Sequence, residues 1–176
     1  MTIPSEPAET FFNKFTLNPK LLGAVSALGF ETATQVQEQV IPAVLNRQDL
    51  LVSAATGSGK TVAFLLPVLE LISASTTTGT RALILTPTRE LANQIAEVAK
   101  PLAAALSIKI GLLIGGEDFK KQHVHLSKGH GLIIGTPGRI QEHLELDSQA
   151  LQQVNFLILD EADRMLDMGF REAVLL

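Results

Sequence analysis

The sequence predicts an α/β domain in which a mostly parallel central sheet is covered by helices on both faces. Short apolar runs alternate with longer segments of helical periodicity, a pattern typical of crossover units that join parallel strands. The runs are apolar at consecutive positions, as expected of strands buried on both faces. The predicted strands are residues 50–53, 81–86, 108–114, Leu132–Gly135 and Phe156–Leu159.

Helices are predicted from apolar spacing together with capping residues. Apolar residues recur at helical spacing between Asn18 and Leu28, and Gly29 is a stop signal. A second helix is predicted from Thr34 to Leu45, ahead of the first strand. Between the strands, helices are predicted to begin near Gly59, Thr88, Glu117 and Gly138.

Length and composition indicate one folded domain. The chain has 176 residues, of which 46% are apolar and 18% are charged, so residues 11–176 are assigned to one domain after a flexible tail at residues 1–10. It contains no cysteine, which excludes disulfides and thiolate metal sites. No apolar run approaches the roughly 20 residues that cross a bilayer, and the N-terminus lacks the features of a secretory signal. We therefore expect a cytoplasmic protein with no membrane partner.

The net charge limits the kinds of nucleic-acid contact. It is formally −4, whereas a general nucleic-acid-binding surface is usually basic. Any such contact must therefore be local, through a few aligned donors. His123 and His125 do not indicate a metal site, because side chains two apart on a helix point to different sides. A solvated helix end is predicted there.

The stretch LLVSAATGSGKTVAF predicts a phosphate-binding loop between a strand and a helix. Its glycines let successive N–H groups point at an anion, and the helix N-terminus adds positive charge. Lys60 can reach the β- and γ-phosphates, and the Thr61 hydroxyl can complete the coordination shell of Mg²⁺. Ala54 stands where the general pattern has glycine, and alanine is also a small residue. The predicted nucleotide contacts are Ala55, Thr56, Gly57, Ser58, Gly59, Lys60 and Thr61.

The stretch NFLILDEAD supplies the acidic partner that such a loop needs for its metal. Asp160 and Glu161 follow an apolar strand, and ligands of parallel sheets bind beyond the carboxyl ends of the strands. Asp160 can hold Mg²⁺ through water, together with Thr61, and Glu161 can orient or deprotonate the attacking water. We therefore predict an ATP-type nucleotide site with Glu161, Lys60 and Asp160 as its catalytic groups.

These motifs are part of a larger set in which the chain resembles the DEAD-box ATP-dependent RNA helicases. Residues 160–163 read DEAD, and residues 54–61 resemble that family's phosphate loop, which begins with alanine. Further family motifs are matched, in the family's order, by GFETATQVQ (29–37), PTRELANQ (87–94), the pair Gly115 and Gly116, and TPGR (136–139). The resemblance implies a RecA-like, three-layer fold and an RNA helicase that uses ATP and Mg²⁺.

The resemblance also implies an adenine site upstream of the phosphate loop. Gln37 would read the edge of the base, and Phe12 would pack against its ring. Each residue has a structural alternative: Thr34 and Gln37 form a Thr-x-x-Gln capping box, and Phe12 has the character of a core residue. The family usually has proline at the positions of Ala33 and Gln35, so the stiffness of this loop differs here.

The implied partner is RNA, held by its sugar–phosphate backbone without readout of base sequence. Several matching positions lie near predicted helix starts, where unpaired N–H groups suit phosphate oxygens. Arg89 and Arg139 add charged donors, although each has the alternative of a salt bridge within the domain. The residues implied are Pro87, Thr88, Arg89, Gly115, Gly116, Thr136, Pro137, Gly138 and Arg139.

Helicases of this family bind ATP and RNA between two RecA-like domains, and this sequence has features of the first only. We expect a C-terminally incomplete first domain whose partner is a second RecA-like domain of the same parent chain, with Asp163 coupling the two. The isolated chain should have little activity. Two other hypotheses are a different phosphate-loop ATPase, against which PTRELA and TPGR argue, and a non-enzymatic RNA clamp, against which Lys60 and Glu161 argue.

Overall fold

The computed structural model describes residues 11–76 and 78–170, so the predicted tail at residues 1–10 lies outside the described residues. A 3₁₀ helix, Phe12–Lys14, precedes the main elements. The helices are α1 (Pro19–Ala27), α2 (Gln35–Leu45), α3 (Lys60–Ser73), α4 (Arg89–Ala105), α5 (Phe119–Ser127), α6 (Pro137–Leu146) and α7 (Ala162–Asp167). The strands are β1 (Ala82–Leu85), β2 (Ile110–Leu113), β3 (Leu132–Gly135) and β4 (Phe156–Leu159). None of the helices in these two ranges has the length and apolar character to cross a membrane.

The strands form one parallel sheet in the order β2-β3-β1-β4. In register, Ile84 of β1 lies between Ile134 of β3 and Ile158 of β4. β1, β2 and β3 are each followed by a helix that returns the chain to the start of the next parallel strand. The carboxyl ends of the strands therefore meet at one edge, which is where ligands bind in parallel α/β folds.

Helices cover both faces of the sheet. Neighbouring side chains on a strand point to opposite faces, so each strand contributes to two separate clusters. Ala82 and Ile84 of β1 pack into one buried cluster, which helices α1 to α4 complete. Leu83 and Leu85 pack into a second cluster, which helices α5, α6 and α7 complete. This arrangement of helix, sheet and helix confirms the predicted fold class.

Most predicted elements occupy their predicted positions. The strands β3 and β4 have the predicted bounds, and β1 and β2 lie inside the predicted apolar runs. Thr34 and Thr88 are N-caps, and each side-chain oxygen accepts a hydrogen bond from a backbone N–H of the helix that follows. These agreements are local, since apolar periodicity and caps depend on near neighbours in the chain.

The predicted strand at residues 50–53 is wrong for the structure described. No strand contains this segment, and its Leu51 side chain is fully exposed. A strand needs a neighbour to take up its backbone hydrogen bonds, and no backbone hydrogen bond joins residues 50–53 to β4, the strand at one edge of the described sheet. Leu157 of β4 is correspondingly 53% exposed. The apolar run predicts burial correctly only where another strand completes the ladder.

Candidate functional site

The phosphate loop joins residues 50–53 to the start of α3. Gly57 and Gly59 have φ angles of 81° and 87°, in the left-handed region that favours glycine. Gly59 is the N-cap of α3, so Lys60 and Thr61 lie in its first turn. The N–H groups of this turn have no partners within the helix and face the loop, as a phosphate site requires.

The ammonium group of Lys60 already lies within the loop. Its Nζ donates to the carbonyl oxygens of Ala54 and Ala55, the latter at 2.9 Å. Carbonyl oxygens carry only partial charge, so a phosphate entering the loop would be a stronger acceptor for the same ammonium. The geometry therefore holds Lys60 at the place where it can exchange loop carbonyls for phosphate.

Thr34 and Gln37 connect α2 to the phosphate loop. The capping box is present: Gln37 Oε1 accepts from Thr34 N at 2.9 Å, and Thr34 Oγ1 accepts from Gln37 N at 3.4 Å. The same two side chains reach the loop, where Thr34 Oγ1 donates to Ser58 O at 2.8 Å and Gln37 Nε2 donates to Gly59 O at 3.1 Å. Gln37 is only 3% exposed, so it both caps its helix and supports the loop.

Replacing Gln37 with glutamate should therefore destabilise the domain. A carboxylate can still accept from Thr34 N but cannot donate to Gly59 O, and it would be buried beside that carbonyl. We expect the free energy of unfolding to fall by about 1–3 kcal/mol, measured by urea denaturation. The control is Gln35→Glu, which adds the same charge at an exposed position of the same helix turn and should cause no loss. Equal stability of Gln37→Glu and wild type would contradict the support of the loop by Gln37.

Phe12 lies in the apolar core that covers the sheet. It is 4% exposed, belongs to the cluster on the α1 to α4 side, and meets Phe15 edge to face at 6.1 Å between ring centroids. The core alternative for Phe12 is therefore what the structure contains. Its contact with adenine stays a prediction, as does that of Gln37.

Asp160 and Glu161 directly follow β4. Asp160 N donates to Leu85 O at 2.9 Å, which extends the pairing of β4 with β1 by one residue. Burial raises the pKa of the Asp160 carboxyl, and the Glu161 carboxylate raises it further, while the Lys60 ammonium lowers it. The Lys60 ammonium, 100 residues away in sequence, therefore lies close enough to the Asp160 carboxyl to lower its pKa.

Glu161 has an unusual backbone conformation. Its φ of 52° and ψ of 48° are left-handed, and it is one of three non-glycine residues with positive φ in the described part of the chain. Its Oε2 atom is 3.2 Å from Nη1 of Arg164, one turn along α7. Strain of this kind occurs most often where a side chain must be aimed for function. Asp163 lies in the same turn and is exposed.

The three segments predicted to hold RNA lie together at the carboxyl ends of β1, β2 and β3. Arg89 Nη1 donates to Gly115 O at 3.0 Å, which connects the first segment to the second. Arg139 Nη1 reaches Glu117 O at 3.5 Å, which connects the third to the second. Arg139 also forms an ion pair with Glu142 at 3.2 Å, the salt-bridge alternative considered for it. Both arginines thus organise the loops as well as offering donors.

Two glycines of these segments have open space where a side chain would begin. A Cβ atom built on Gly115 or Gly138 meets no other atom within 4 Å, and neither residue has a positive φ. Nothing within the described chain therefore requires glycine at either position. An absent side chain that the fold does not require is expected where a ligand backbone approaches closely.

Sequence reasoning missed two buried polar residues, Gln122 in α5 and His143 in α6, which are 4% and 0% exposed. It also treated the histidines near α5 as a solvated helix end, which is wrong. His123 lies in a stack with Phe119 and His143, and His125 Nδ1 is 3.1 Å from His130 Nε2. No group of three potential metal ligands occurs within residues 11–76 and 78–170. The position of Gln122 in the sequence could have predicted its burial, because it lies on the apolar stripe of α5, where a polar residue needs a partner.

Burial lowers the pKa of His143 to about 4, helped by the nearby His123 and Arg139 and opposed by Glu142. An unfolded histidine titrates near 6.5, so below that pH protonation favours the unfolded chain. The stabilisation from neutral His143 is complete above this value and is lost as the pH falls toward 4. We expect the free energy of unfolding to fall between pH 7 and pH 5 by about 2 kcal/mol more in wild type than in His143→Gln. Urea denaturation of both proteins at both pH values checks this, and equal losses would contradict a buried neutral ring.

The parallel α/β fold and the phosphate loop at the start of α3 define the class of phosphate-loop domains. Residues 34–175 match the DEAD/DEAH box helicase family, and the chain belongs to that family. It is 43% identical over 175 residues to the ATP-dependent RNA helicase has1 of Aspergillus terreus, covering 97% of this chain and 30% of that protein.

Solved structures agree with the sequence comparison. A DEAD box protein from Methanococcus jannaschii superimposes with a TM-score of 0.86 at 41% identity, covering 94% of this chain and 45% of that one. The RNA helicase Prp28 from Chaetomium thermophilum, solved with ADP, also gives 0.86 at 38% identity, covering 99% and 44%. The RecA-like fold is thereby confirmed, and the chain spans less than half the length of these relatives.

Proposed function

We propose that this chain is the ATP-binding and RNA-backbone-binding first domain of an ATP-dependent RNA helicase. One observation carries the proposal. The Lys60 ammonium of the phosphate loop acts on the Asp160 carboxyl after β4, and the three candidate RNA segments follow β1, β2 and β3 of the same parallel sheet. A nucleotide held by Lys60 and an RNA strand held by the turns after β1, β2 and β3 would thus bind to the same rigid sheet.

The nucleotide half follows from the groups around the loop. The N–H groups of residues 55–61 and the Lys60 ammonium would hold the phosphates of ATP. The residues present fit Mg²⁺: the Thr61 hydroxyl and the Asp160 carboxyl offer hard oxygen ligands, and Mg²⁺ usually completes its shell with water and substrate phosphate. When bound, the ion would neutralise phosphate charge. Asp160 would hold it partly through water, at the position where the Lys60 ammonium acts on this carboxyl.

Adenine recognition would use the hydrogen-bonding capacity of the Gln37 amide that is not used within the fold. One amide hydrogen serves Gly59 O and one lone pair serves Thr34 N, so a second hydrogen and a second lone pair are available. The edge of adenine offers one acceptor and one donor, which matches that pair. Binding of adenine by Gln37 would be coupled to the phosphate loop, because the same amide donates a hydrogen bond to Gly59 O. Phe12 would pack against the ring.

Hydrolysis would depend on Glu161. This side chain follows the metal-binding carboxyl, and the left-handed backbone at Glu161 aims it away from the strand direction. We assign it as the group that orients the attacking water and takes its proton. Asp163, exposed on the first turn of α7, would contact a second RecA-like domain. That domain would complete both sites, and an arginine supplied by it would stabilise charge on the transferred phosphoryl group.

The RNA half can be tested by Gly138→Ala. Alanine is a better helix former than glycine in the first turn of α6, so stability should be equal or higher, by up to about 1 kcal/mol. A Cβ atom projecting into the space for the RNA backbone should weaken binding of single-stranded RNA about tenfold or more, measured by fluorescence anisotropy at fixed low salt.

The control for Gly138→Ala is Gly23→Ala. Gly23 is an exposed glycine inside α1 that also has nothing within 4 Å of a built Cβ. It should gain the same stability and leave RNA affinity unchanged. Unchanged RNA affinity in Gly138→Ala would remove the turn after β3 from the RNA site. Equal losses in the two variants would show that the effect is not local.

A further inference from the structure

A buried polar pair lies between α5 and α6, outside the nucleotide site and outside every motif of the sequence. Gln122 and His143 are 4% and 0% exposed. They lie in the helix layer of α5 to α7, which covers the face of the sheet that carries Leu83 and Leu85. Burying two polar side chains lowers stability unless they are hydrogen-bonded, and apolar residues would pack there at no such cost. Their presence therefore calls for a use other than packing.

Gln122 is bonded to the chain immediately before the glycine pair. Its Nε2 donates to Ile114 O at 2.9 Å, and the next residues are Gly115 and Gly116 of the second RNA segment. Ile114 is itself buried, so this carbonyl has no access to bulk water. The amide of Gln122 thus fixes the peptide from which the glycine pair extends.

His143 lies at the other end of that amide and favours the same orientation. Its Nε2 is 3.5 Å from Gln122 Oε1, a long hydrogen bond in which the neutral ring donates. If the amide flipped, its NH₂ group would face that N–H and its oxygen would face Ile114 O, which are two repulsive contacts. Nδ1 of His143 is buried without a partner, which leaves Nε2 as the protonated nitrogen.

His143 also belongs to the helix that begins with the third RNA segment. The first turn of α6 contains Pro137, Gly138 and Arg139, and His143 lies on the second turn. Its ring stacks on Phe119 of α5 with 4.0 Å between centroids, and the Arg139 guanidinium lies 5.5 Å from the same Phe119 ring. A continuous path of contacts therefore runs from the glycine pair through Gln122 and His143 to the start of α6.

We propose that Gln122 and His143 are positioning residues for RNA, which hold the turn after β2 and the turn after β3 in one relative position. Successive phosphates of one strand would contact the two turns, so a shift between the turns would lose both contacts together. This inference rests on the proposed RNA-binding function and assigns no direct RNA contact to either residue.

The test compares variants that differ in one hydrogen-bonding group. His143→Phe keeps a buried ring on Phe119 but removes the donor, Gln122→Leu removes the amide, and His143→Gln restores a donor of similar reach. The probe is a labelled single-stranded oligouridylate titrated into the 176-residue chain at fixed low salt. We expect His143→Phe and Gln122→Leu each to weaken RNA binding about tenfold, the double variant to be no weaker than either alone, and His143→Gln to recover most of the affinity.

Two controls separate positioning from general loss of stability. Binding of ADP should be unchanged in every variant, because the pair does not contact the phosphate loop. Ile140→Val, in the buried apolar cluster of the same helix layer, should lower stability and leave RNA affinity unchanged. If Ile140→Val weakens RNA binding as much as His143→Phe, the pair is only structural and the inference is overturned.

The remaining outcomes distinguish failure of the positioning role from failure of the proposed RNA-binding function. If the wild-type chain binds no RNA, the proposed function fails and the inference fails with it. If Gly138→Ala loses affinity while His143→Phe and Gln122→Leu keep it, only the positioning role is overturned. Additive losses in the double variant would also overturn it, because residues of one path cannot lose the same contact twice.

Discussion

Glu161→Gln should lower ATP turnover about 10²- to 10⁴-fold in a two-domain protein that contains this chain, and leave the binding of ATP and RNA intact. Glutamine has the shape and hydrogen-bonding capacity of glutamate but cannot accept the proton of the attacking water. The ion pair with Arg164 is partly exposed, so its loss should change stability by less than about 1 kcal/mol. The complex with ATP and RNA should therefore accumulate, because both ligands bind and hydrolysis does not release them.

The measurement is steady-state ATP hydrolysis beside retention of labelled RNA on the protein with ATP present. Glu97→Gln is the matched control, because Glu97 is an exposed carboxylate of α4 that forms only a surface ion pair with Lys100. The control should behave as wild type in both assays. Undiminished turnover by Glu161→Gln would remove this carboxylate from the mechanism and leave the proton acceptor unassigned.

Local chemistry made much of the fold predictable from sequence. β3 is bounded by Gly131 and the Thr136–Pro137 turn, and β4 by Asn155 and Asp160, so the apolar runs and the strands coincide. Helix starts were predictable for the same reason, because Thr34 and Thr88 cap with their own side chains. These signals need only neighbouring residues.

The errors concern contacts between distant parts of the chain. Residues 50–53 have a strand-like sequence, but strand formation depends on a neighbouring strand that the segment's own composition does not specify. The pairing of Gln122 with His143 joins residues 21 apart, and only the packing of α5 against α6 brings them together. For Gln37, the capping box was evident from Thr34, whereas the bond to Gly59 O required the three-dimensional arrangement.

In the candidate site, too, some features were predictable from neighbouring residues and others depend on contacts between distant parts of the chain. The phosphate loop and the acidic motif were predictable because a strand, a small-residue loop and a helix N-terminus are specified within a short stretch. That Lys60 acts on Asp160 depends on where α3 and β4 lie relative to each other. The roles of Arg89 and Arg139 in joining the candidate RNA segments were likewise not evident, because their acceptors are backbone carbonyls that any residue type offers.

The dependence of hydrolysis on the second domain should be the other large effect. An arginine supplied across the cleft is worth about 10³–10⁵ in the rate of phosphoryl transfer, so the 176-residue chain alone should hydrolyse ATP slower than the two-domain protein by about that factor. Adding single-stranded RNA to the isolated chain should not restore the rate, because RNA supplies no group to the phosphoryl transfer. The chain should nevertheless bind adenine nucleotides weakly through Lys60 and its loop.

Steady-state ATP hydrolysis by the isolated chain and by the two-domain protein, each with and without single-stranded RNA, tests the central claim most directly. The account predicts that only the two-domain protein with RNA turns over ATP within the ordinary enzyme range of about 1 s⁻¹ or faster. Omitting the second domain should lower the rate by about 10³–10⁵, and omitting the RNA should lower it by at least about tenfold, because RNA bound by both domains would hold the second domain's arginine at the nucleotide. Equal hydrolysis by the two-domain protein with and without RNA would contradict the account and favour a phosphate-loop ATPase of another kind.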